Sequence, residues 1–238
     1  MDYIVFLLIV LVASVLQTSS GFGFSILATP FLLLLFEPYE AIQINLVISF
    51  IISLLLFQKI KGDINQGVLK RMVIGSMPGL PIGIYVFLII DIMYLKVIIG
   101  SLILFLTTLL LLSFRIRENN VRDYGVAGIS GVLTTSVGMP GPPLLLYFSG
   151  TNTSKSAVRA TTLAFYLFIY LISFFIQFVT VGTSQVVWTS IAMSIPVVLL
   201  GLVLGQFLFK RMSQRFFRWL SYALLLFTGI YILVEAFS

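Results

Sequence analysis

The stretch Thr18-Ser-Ser-Gly-Phe-Gly-Phe-Ser25 interrupts an apolar run with small polar residues and glycines, and Thr134-Thr-Ser-Val-Gly-Met-Pro-Gly-Pro-Pro143 repeats this break later in the chain. Each break lies near the start of one half of the sequence. A helix that stops inside a membrane leaves backbone groups unpaired, and these must face protein or a wet cavity. We expect the two breaks to meet near the membrane midplane and to form a binding site.

The composition identifies a membrane protein. The 238 residues are 60% hydrophobic and 9% charged, with a mean hydropathy of +1.15, whereas a soluble domain carries about 25% charge. Apolar runs of about 18 or more residues recur and do not alternate with polar residues, which predicts transmembrane helices. The fold class is therefore all-α, a polytopic transmembrane helix bundle. The net charge of +6 indicates basic cytoplasmic loops, not nucleic-acid binding.

Several chemistries are excluded by residue types that the chain lacks. Cys and His are both absent, which removes thiol nucleophiles, Ser-His dyads, and zinc or haem sites built on those residues. All eight acidic residues lie at predicted helix ends, so a buried carboxylate relay or cation site has no candidate. We therefore expect no enzymatic activity, no metal and no cofactor.

The apolar segments follow the same plan in both halves. We predict helices at 4–19, 24–36, 41–58, 70–90 and 95–114, and again at 124–136, 144–150, 157–179, 186–209 and 217–236. Residues 1–114 and 124–238 then form two transmembrane repeats, joined by a cytoplasmic linker at 115–123. Gly79/Gly83 and Gly201/Gly205 share a GxxxG spacing, which predicts close helix packing. Pro78, Pro81 and Pro196 are expected to kink their helices.

The basic residues predict the topology. Each break is interpreted as a helix pair that enters and leaves on one side, followed by three spans, so the second repeat is inverted. With the 59–71 loop inside, 13 of the 14 basic residues face the cytoplasm and Lys96 alone lies outside. This arrangement satisfies the positive-inside rule, which eight simple spans would violate. We predict a multi-pass protein of the cell (inner) membrane with both termini outside. The broken pairs are either re-entrant or fully spanning, and short segments favour re-entrant geometry in the second half.

The breaks have the chemistry of an anion site. Each resuming helix presents free N–H groups and the positive end of its dipole, hydroxyls add donors, and glycines permit close backbone approach.

Arg159 is interpreted either as an anion ligand or as a headgroup anchor. The Phe-rich segment at 165–178 is interpreted as a lipid-facing or packing surface. The alternative for the small residues is helix packing alone. The candidate substrate-binding residues are Thr18, Ser19, Ser20, Gly21, Gly23, Ser25, Asn45, Thr135, Ser136, Gly138, Gly141, Arg159 and Thr161.

Nearly the whole chain resembles the TauE/SafE family of sulfite exporters and related permeases. The resemblance is carried by two glycine-rich breaks with proline, Gly21-Phe-Gly-Phe-Ser-Ile-Leu-Ala-Thr-Pro30 and Gly138-Met-Pro-Gly-Pro-Pro143, by the helix openings at Ala41 and Ala157, and by the two-fold repeat. The family often has more consecutive glycines where this chain has Phe22, Phe24 and Ser25. The resemblance implies export of a small, often sulfur-containing anion such as sulfite, thiosulfate, sulfoacetate or another organosulfonate.

The function that we expect is secondary transport of such an anion by alternating access, with the anion held at the two breaks. Its partners are then the anionic substrate and the lipid bilayer; a homo-oligomer stays open. A passive anion channel of the same fold is the first alternative, and a saturable site with counter-transport would exclude it. A membrane enzyme would need an intramembrane nucleophile or base. A helper subunit of another complex is the third alternative, which transport by this chain alone in liposomes would exclude.

Overall fold

The computed structural model describes residues 3–112, 119–151 and 153–237, and every regular element in these ranges is helical. The prediction of an all-α bundle is confirmed. Arg115, Arg117 and Glu118, which belong to the predicted linker, lie outside the described residues. The α-helices are α1 (Tyr3–Ser20), α2 (Gly23–Leu35), α3 (Pro38–Ile60), α4 (Gln66–Ser76), α5 (Gly79–Ile89), α6 (Ile92–Leu111), α7 (Asn120–Val137), α8 (Gly141–Ser149), α9 (Lys155–Val181), α10 (Gln185–Arg211) and α11 (Gln214–Phe237).

Several helices are long and apolar enough to cross a membrane. Within the described residues these are α1, α3, α9 and α10, and the bent pair α4–α5 is a fifth candidate. The sequence predicted one helix over 70–90, but α4 and α5 meet at an angle of 43°. The bend lies at Pro78, which has no N–H to continue the helical hydrogen-bond ladder. The kink predicted at Pro78 is confirmed, whereas Pro81 lies inside α5 and Pro196 inside α10, and neither of these helices is interrupted there.

Polar loop residues start some helices earlier than the apolar pattern predicted. The Asn119 side chain accepts a 3.2 Å hydrogen bond from the Val121 N–H, so α7 begins at Asn120 and not at 124. Ser154 caps α9 and Ser184 caps α10 in the same way. With its 18 residues, α7 is about 27 Å long at 1.5 Å per residue. The first arm of the second break is therefore longer than predicted.

Both broken helix pairs turn back on themselves. The rings of Phe6 in the second turn of α1 and Phe36 just after α2 have centroids 5.3 Å apart, so α2 ends where α1 begins. The second pair also returns, because Phe148 near the end of α8 lies 6.5 Å from Phe22 in the first break. Gly21, in the same break as Phe22, contacts Arg159 in the second turn of α9. Each pair thus leaves the bundle at the end from which it came.

Helices of one half pack mainly against helices of the other half. Helix α1 packs on α10, α7 packs on α4 and α5, α3 packs on α9, and α6 packs on α11. These pairs are symmetric between the halves. When each helix is replaced by the helix at the same place in the other half, the α1–α10 pair becomes the pair of α7 with α4 and α5, and the α3–α9 and α6–α11 pairs stay the same. The halves therefore form one interlocked bundle with a common core.

The GxxxG pairs lie at the tightest of these helix contacts. A methyl group on Gly201 would lie 2.5 Å from Ser14 Cβ, and one on Gly205 would lie 2.5 Å from Thr18 Cβ, both on α1. The equivalent pair on α5 approaches α7, where a methyl group on Gly83 would lie 2.4 Å from the Val132 carbonyl oxygen. Real Cβ atoms do not approach this closely, so the predicted packing role of both pairs is confirmed.

One end of the bundle collects basic side chains. Lys59 at the end of α3 donates a 3.0 Å hydrogen bond to Gln206 of α10. Arg71 of α4 forms a 2.6 Å ion pair with Asp123, a buried carboxylate in the first turn of α7. These contacts bring together the end of α3, the starts of α4 and α7, and the end of α10. We call this end of the bundle the basic end.

The opposite end is held by uncharged donors around one carboxylate. Ser184, before α10, donates a 2.6 Å hydrogen bond to Glu40 in the first turn of α3. Gln43 donates a 2.8 Å hydrogen bond to the carbonyl oxygen of Gly182, which follows α9. The start of α3 and the α9–α10 turn therefore lie together, far from the basic end. The contacts described at the two ends therefore differ: basic side chains take part at one end, and a carboxylate with uncharged donors at the other.

Candidate functional site

The first break is made by hydroxyl groups that bond back to their own helix. Ser20 Oγ donates a 2.6 Å hydrogen bond to the Leu16 carbonyl oxygen and accepts a 3.2 Å hydrogen bond from the Phe22 N–H. Such local bonds compete with the helical ladder. Gly21 then has φ +87°, and its N–H donates to the Gln17 carbonyl oxygen at 2.7 Å. A glycine in the left-handed region is the usual end of a helix, so α1 stops here and α2 starts in a new direction.

Arg159 from the other half holds the end of α1. Its Nε atom donates a 2.6 Å hydrogen bond to the Thr18 carbonyl oxygen, and its guanidinium carbon lies 4.3 Å from the centroid of the Phe209 ring. Asp63 interacts with it electrostatically, and the residue is only 7% exposed. The guanidinium therefore stabilises the negative end of the α1 dipole.

The second break has the equivalent arrangement with a neutral side chain. Gly138 has φ +74°, and the N–H groups of Gly138 and Met139 donate to the carbonyl oxygens of Thr134 and Leu133. Asn45 Nδ2 of α3 donates a 2.7 Å hydrogen bond to the Gly138 carbonyl oxygen. Each break is thus fixed by a side chain from the long helix of the opposite half.

The helices that resume after the breaks begin without side-chain caps. Neither Phe22 before α2 nor Pro140 before α8 provides a capping hydrogen bond. The first N–H groups of a helix have no intrahelical acceptor, which leaves those of Gly23, Phe24 and Ser25 at the start of α2 without one. The start of α8 differs because it reads Gly141-Pro142-Pro143. Proline has no N–H, so Gly141 carries the one N–H donor of that turn.

Three hydroxyl groups between these two helix starts face one another and have no hydrogen-bond partner beyond the group that they form with Ser49. They belong to Ser25, Tyr166 and Tyr170, all completely buried. A methyl group on Gly141 would lie 3.2 Å from the Tyr166 hydroxyl oxygen and 2.9 Å from Ile26 Cδ1. The first turns of α2 and α8 therefore meet at Tyr166.

The two tyrosines extend this cluster towards α3. Their ring centroids are 4.7 Å apart, and the Tyr170 hydroxyl lies within hydrogen-bonding reach of Ser25, Ser49 and Tyr166. We call Ser25, Ser49, Gly141, Tyr166 and Tyr170 the hydroxyl cluster. Every one of its side chains is uncharged.

The structure divides the predicted site residues into three groups. Ser25 and Gly141 belong to the hydroxyl cluster, and the Thr18 hydroxyl is also buried without a partner. Gly21, Gly23, Asn45, Gly138 and Arg159 form the breaks and their supports. The remaining hydroxyls bond elsewhere: Ser19 and Ser20 to the Leu16 carbonyl, Ser136 to the Val132 carbonyl, Thr135 to Gly131 and Ser173, and Thr161 to the Asn65 N–H.

The tyrosines were missed because the 165–178 segment looked like a single apolar surface. Its residues in fact alternate between two faces. Phe175 is 66% exposed and Phe178 is 44% exposed, as predicted for a lipid-facing surface, whereas Tyr166 and Tyr170 are buried. A signal was present in the sequence, since Tyr166, Tyr170, Ser173 and Gln177 recur at the spacing of one helix face.

Taken together, the inward-facing polar groups and the apolar exterior define a multi-pass helical membrane protein with a buried polar centre between two broken helices. The model of the family described as sulfite exporter TauE/SafE matches residues 6–232, so the chain belongs to this family. Membership implies a membrane exporter of sulfite or another anion. No curated protein and no solved structure matches the chain.

Proposed function

We propose that this protein exports a small sulfur-containing anion, such as sulfite or an organosulfonate, by alternating access. The observation that carries this proposal is the set of three buried hydroxyls, with no hydrogen-bond partner beyond one another and Ser49, between two uncapped helix starts. A buried N–H or O–H donor that is left unpaired costs about 1–3 kcal/mol. The oxygens of a bound oxyanion accept hydrogen bonds from these hydroxyls and from the free N–H groups at the start of α2, which relieves that cost.

Two supports of the breaks suit a mechanism in which the ends of the bundle open in turn. Arg159 holds the first break from α9, and Asn45 holds the second from α3. Each hydrogen bond joins the two halves, so each must break or move when the halves shift relative to one another. The exchangeable packing pairs support two inverted repeats as the moving parts. We place the basic end at the cytoplasm, in accordance with the positive-inside rule, which puts both termini outside.

The burial of the hydroxyl cluster favours a carrier over the alternative, a passive channel. Ser25, Tyr166 and Tyr170 are all completely buried, whereas a conducting pore exposes its polar lining to water. The inside-negative potential favours outward movement of an anion by about 2.3 kcal/mol per charge per 100 mV. Export therefore needs no carboxylate proton relay, and none of the cluster side chains is a carboxylate.

A flux experiment with purified protein in liposomes tests the proposal. Labelled sulfite and labelled methanesulfonate are offered from one side, with or without unlabelled anion on the other. A carrier gives saturable flux that the opposite anion stimulates, whereas a channel gives flux that rises linearly with concentration. The Gly141→Leu variant is expected to insert but not transport, because its side chain overlaps Ile26 and the Tyr166 hydroxyl. Full activity of this variant contradicts a site between α2 and α8.

A further inference from the structure

We infer that the site binds monoanions in preference to dianions, so that hydrogen sulfite or a small monosulfonate is its substrate and dianionic sulfite, sulfate and thiosulfate are not. This inference rests on the proposed function, and it concerns the charge of the substrate. Its first basis is that every donor in the hydroxyl cluster is neutral. The side chains of Ser25, Tyr166 and Tyr170 and the backbone N–H groups at the two helix starts carry no formal charge.

The positive potential at the site therefore comes from helix ends. Each helix N-terminus is equivalent to about half a positive charge, so α2 and α8 together supply about one. The end of α7 at Gly138 lies three residues before α8 and adds negative potential, and its support, Asn45, is neutral. The helix ends therefore compensate about one negative charge on the substrate, and not two.

Among the described residues, Arg159 is the buried cation near the breaks, and it is directed at the end of α1. Arg159 donates to the Thr18 carbonyl oxygen and lies over the Phe209 ring. Side chains in a helix lean towards its N-terminus, which for α9 is the basic end. Asp63 interacts with the same guanidinium. Because the negative end of the α1 dipole offsets part of this charge, Arg159 adds less than a full second charge to the site.

Desolvation then separates the two charge states. The cost of transferring an ion into a medium of low dielectric constant rises with the square of its charge, so a dianion of similar size loses about four times the hydration free energy of a monoanion. The neutral donors of a buried site offset the desolvation cost of one negative charge. A second negative charge would have neither further donors nor water to solvate it.

Differences between α2 and α8 place the charged group of the substrate. Three free N–H groups remain at the start of α2, whereas Pro142 and Pro143 leave one at the start of α8. The Ile26 side chain packs against Gly141 and so places an apolar group at the start of α8. The sulfonate oxygens are therefore bound by α2 and the tyrosines, and an apolar substituent faces α8. The close approach at Gly141 restricts that substituent to a small group.

The experiment uses the full chain in liposomes and exploits the second ionisation of sulfite near neutral pH. Flux of labelled sulfite is measured below and above this ionisation, and methanesulfonate, a monoanion at every pH used, is the control for effects of pH on the protein. We expect sulfite flux to fall in proportion to the hydrogen sulfite fraction, while methanesulfonate flux stays constant. Unlabelled sulfate and thiosulfate should compete at least about 10-fold less well than methanesulfonate.

The outcomes distinguish this inference from the proposed function. Sulfite flux that is constant or rises with the dianion fraction overturns monoanion selectivity but leaves anion transport intact. Equal competition by sulfate or thiosulfate does the same. Absence of flux for every anion, from protein that is folded by thermal unfolding in detergent, overturns the proposed function and the inference together. The Tyr170→Phe variant adds a check, since losing a neutral donor weakens binding of all anions while leaving their ratio unchanged.

Discussion

The Nε atom of Arg159 and the carbonyl oxygen of Thr18 are joined by a 2.6 Å hydrogen bond across 141 positions of sequence. This bond ties the second turn of α9 to the last turn of α1 and has a neutral counterpart between Asn45 and Gly138. Both bonds satisfy a carbonyl at a helix end that the membrane interior would otherwise leave unpaired. A cation at this position therefore has a structural reason that is independent of substrate binding.

Replacement of Arg159 separates its two interpretations. We expect Arg159→Gln to lower the free energy of unfolding by about 1–3 kcal/mol, the cost of leaving a buried acceptor unpaired, as measured by thermal unfolding in detergent. The control is Lys61→Gln, which removes an exposed cation from the same end of the bundle. If Arg159→Gln retains wild-type stability but loses anion binding, Arg159 is a substrate ligand and its assignment as a support is wrong.

The tyrosine hydroxyls should matter for transport and not for folding. Tyr166→Phe and Tyr170→Phe each remove a buried hydroxyl that has no hydrogen-bond partner outside the hydroxyl cluster, so the unfolding temperature should change little. Loss of one hydrogen bond to a charged ligand costs about 1.5–3 kcal/mol, which corresponds to about 10- to 100-fold weaker anion affinity. Stabilisation of the protein by added anion gives the affinity. Tyr85→Phe, at a residue 66% exposed on α5, is the matched control. Wild-type affinity in both variants would remove the tyrosines from the site.

A glycine-to-alanine substitution should change the stability of the protein in opposite directions at Gly205, in the contact of α10 with α1, and at Gly125, outside it. Gly205→Ala places a methyl group 2.5 Å from Thr18 Cβ and 2.7 Å from the Val15 carbonyl oxygen. We expect it to destabilise the protein by about 1–3 kcal/mol. Gly125→Ala, in α7, meets no heavy atom within 4 Å, and its higher helix propensity should stabilise by up to about 1 kcal/mol. Equal unfolding temperatures for the two variants would show that the α1–α10 contact is looser than described.

The charge difference between the ends of the bundle predicts where thiols are accessible in cells. The chain has no cysteine, so Arg215→Cys and Gln185→Cys each introduce a single thiol at an exposed residue at opposite ends. We expect a membrane-impermeant maleimide to label Gln185→Cys in intact cells and Arg215→Cys only after the membrane is permeabilised. The reverse pattern would invert the topology and place the basic end outside.

The sequence was sufficient for features that depend on local pattern and insufficient for those that depend on distant partners. Gly21 and Gly138 stood out because glycine and hydroxyl residues are rare in apolar runs, and both mark helix ends with positive φ. The bond between Arg159 and Thr18 has no local pattern. Helix-end hydroxyls such as Ser20 either face a ligand or bond to the preceding turn, and the backbone geometry decides between them. The cluster at Tyr166 depends on the rotation of α9 about its axis, which an aromatic-rich segment does not reveal by composition.

The cross-packing of the halves also bears on how the chain is made. Helices α1 and α3 have their main partners in α10 and α9, which leave the ribosome more than a hundred residues later. Until then, the Thr18 carbonyl lacks its donor and Asn45 lacks its acceptor within the bilayer. We therefore expect the first half to remain an unfinished bundle, with its broken hairpin completed only when the second half is inserted. Co-expression of the two halves as separate chains should restore a folded protein, and neither half should accumulate alone.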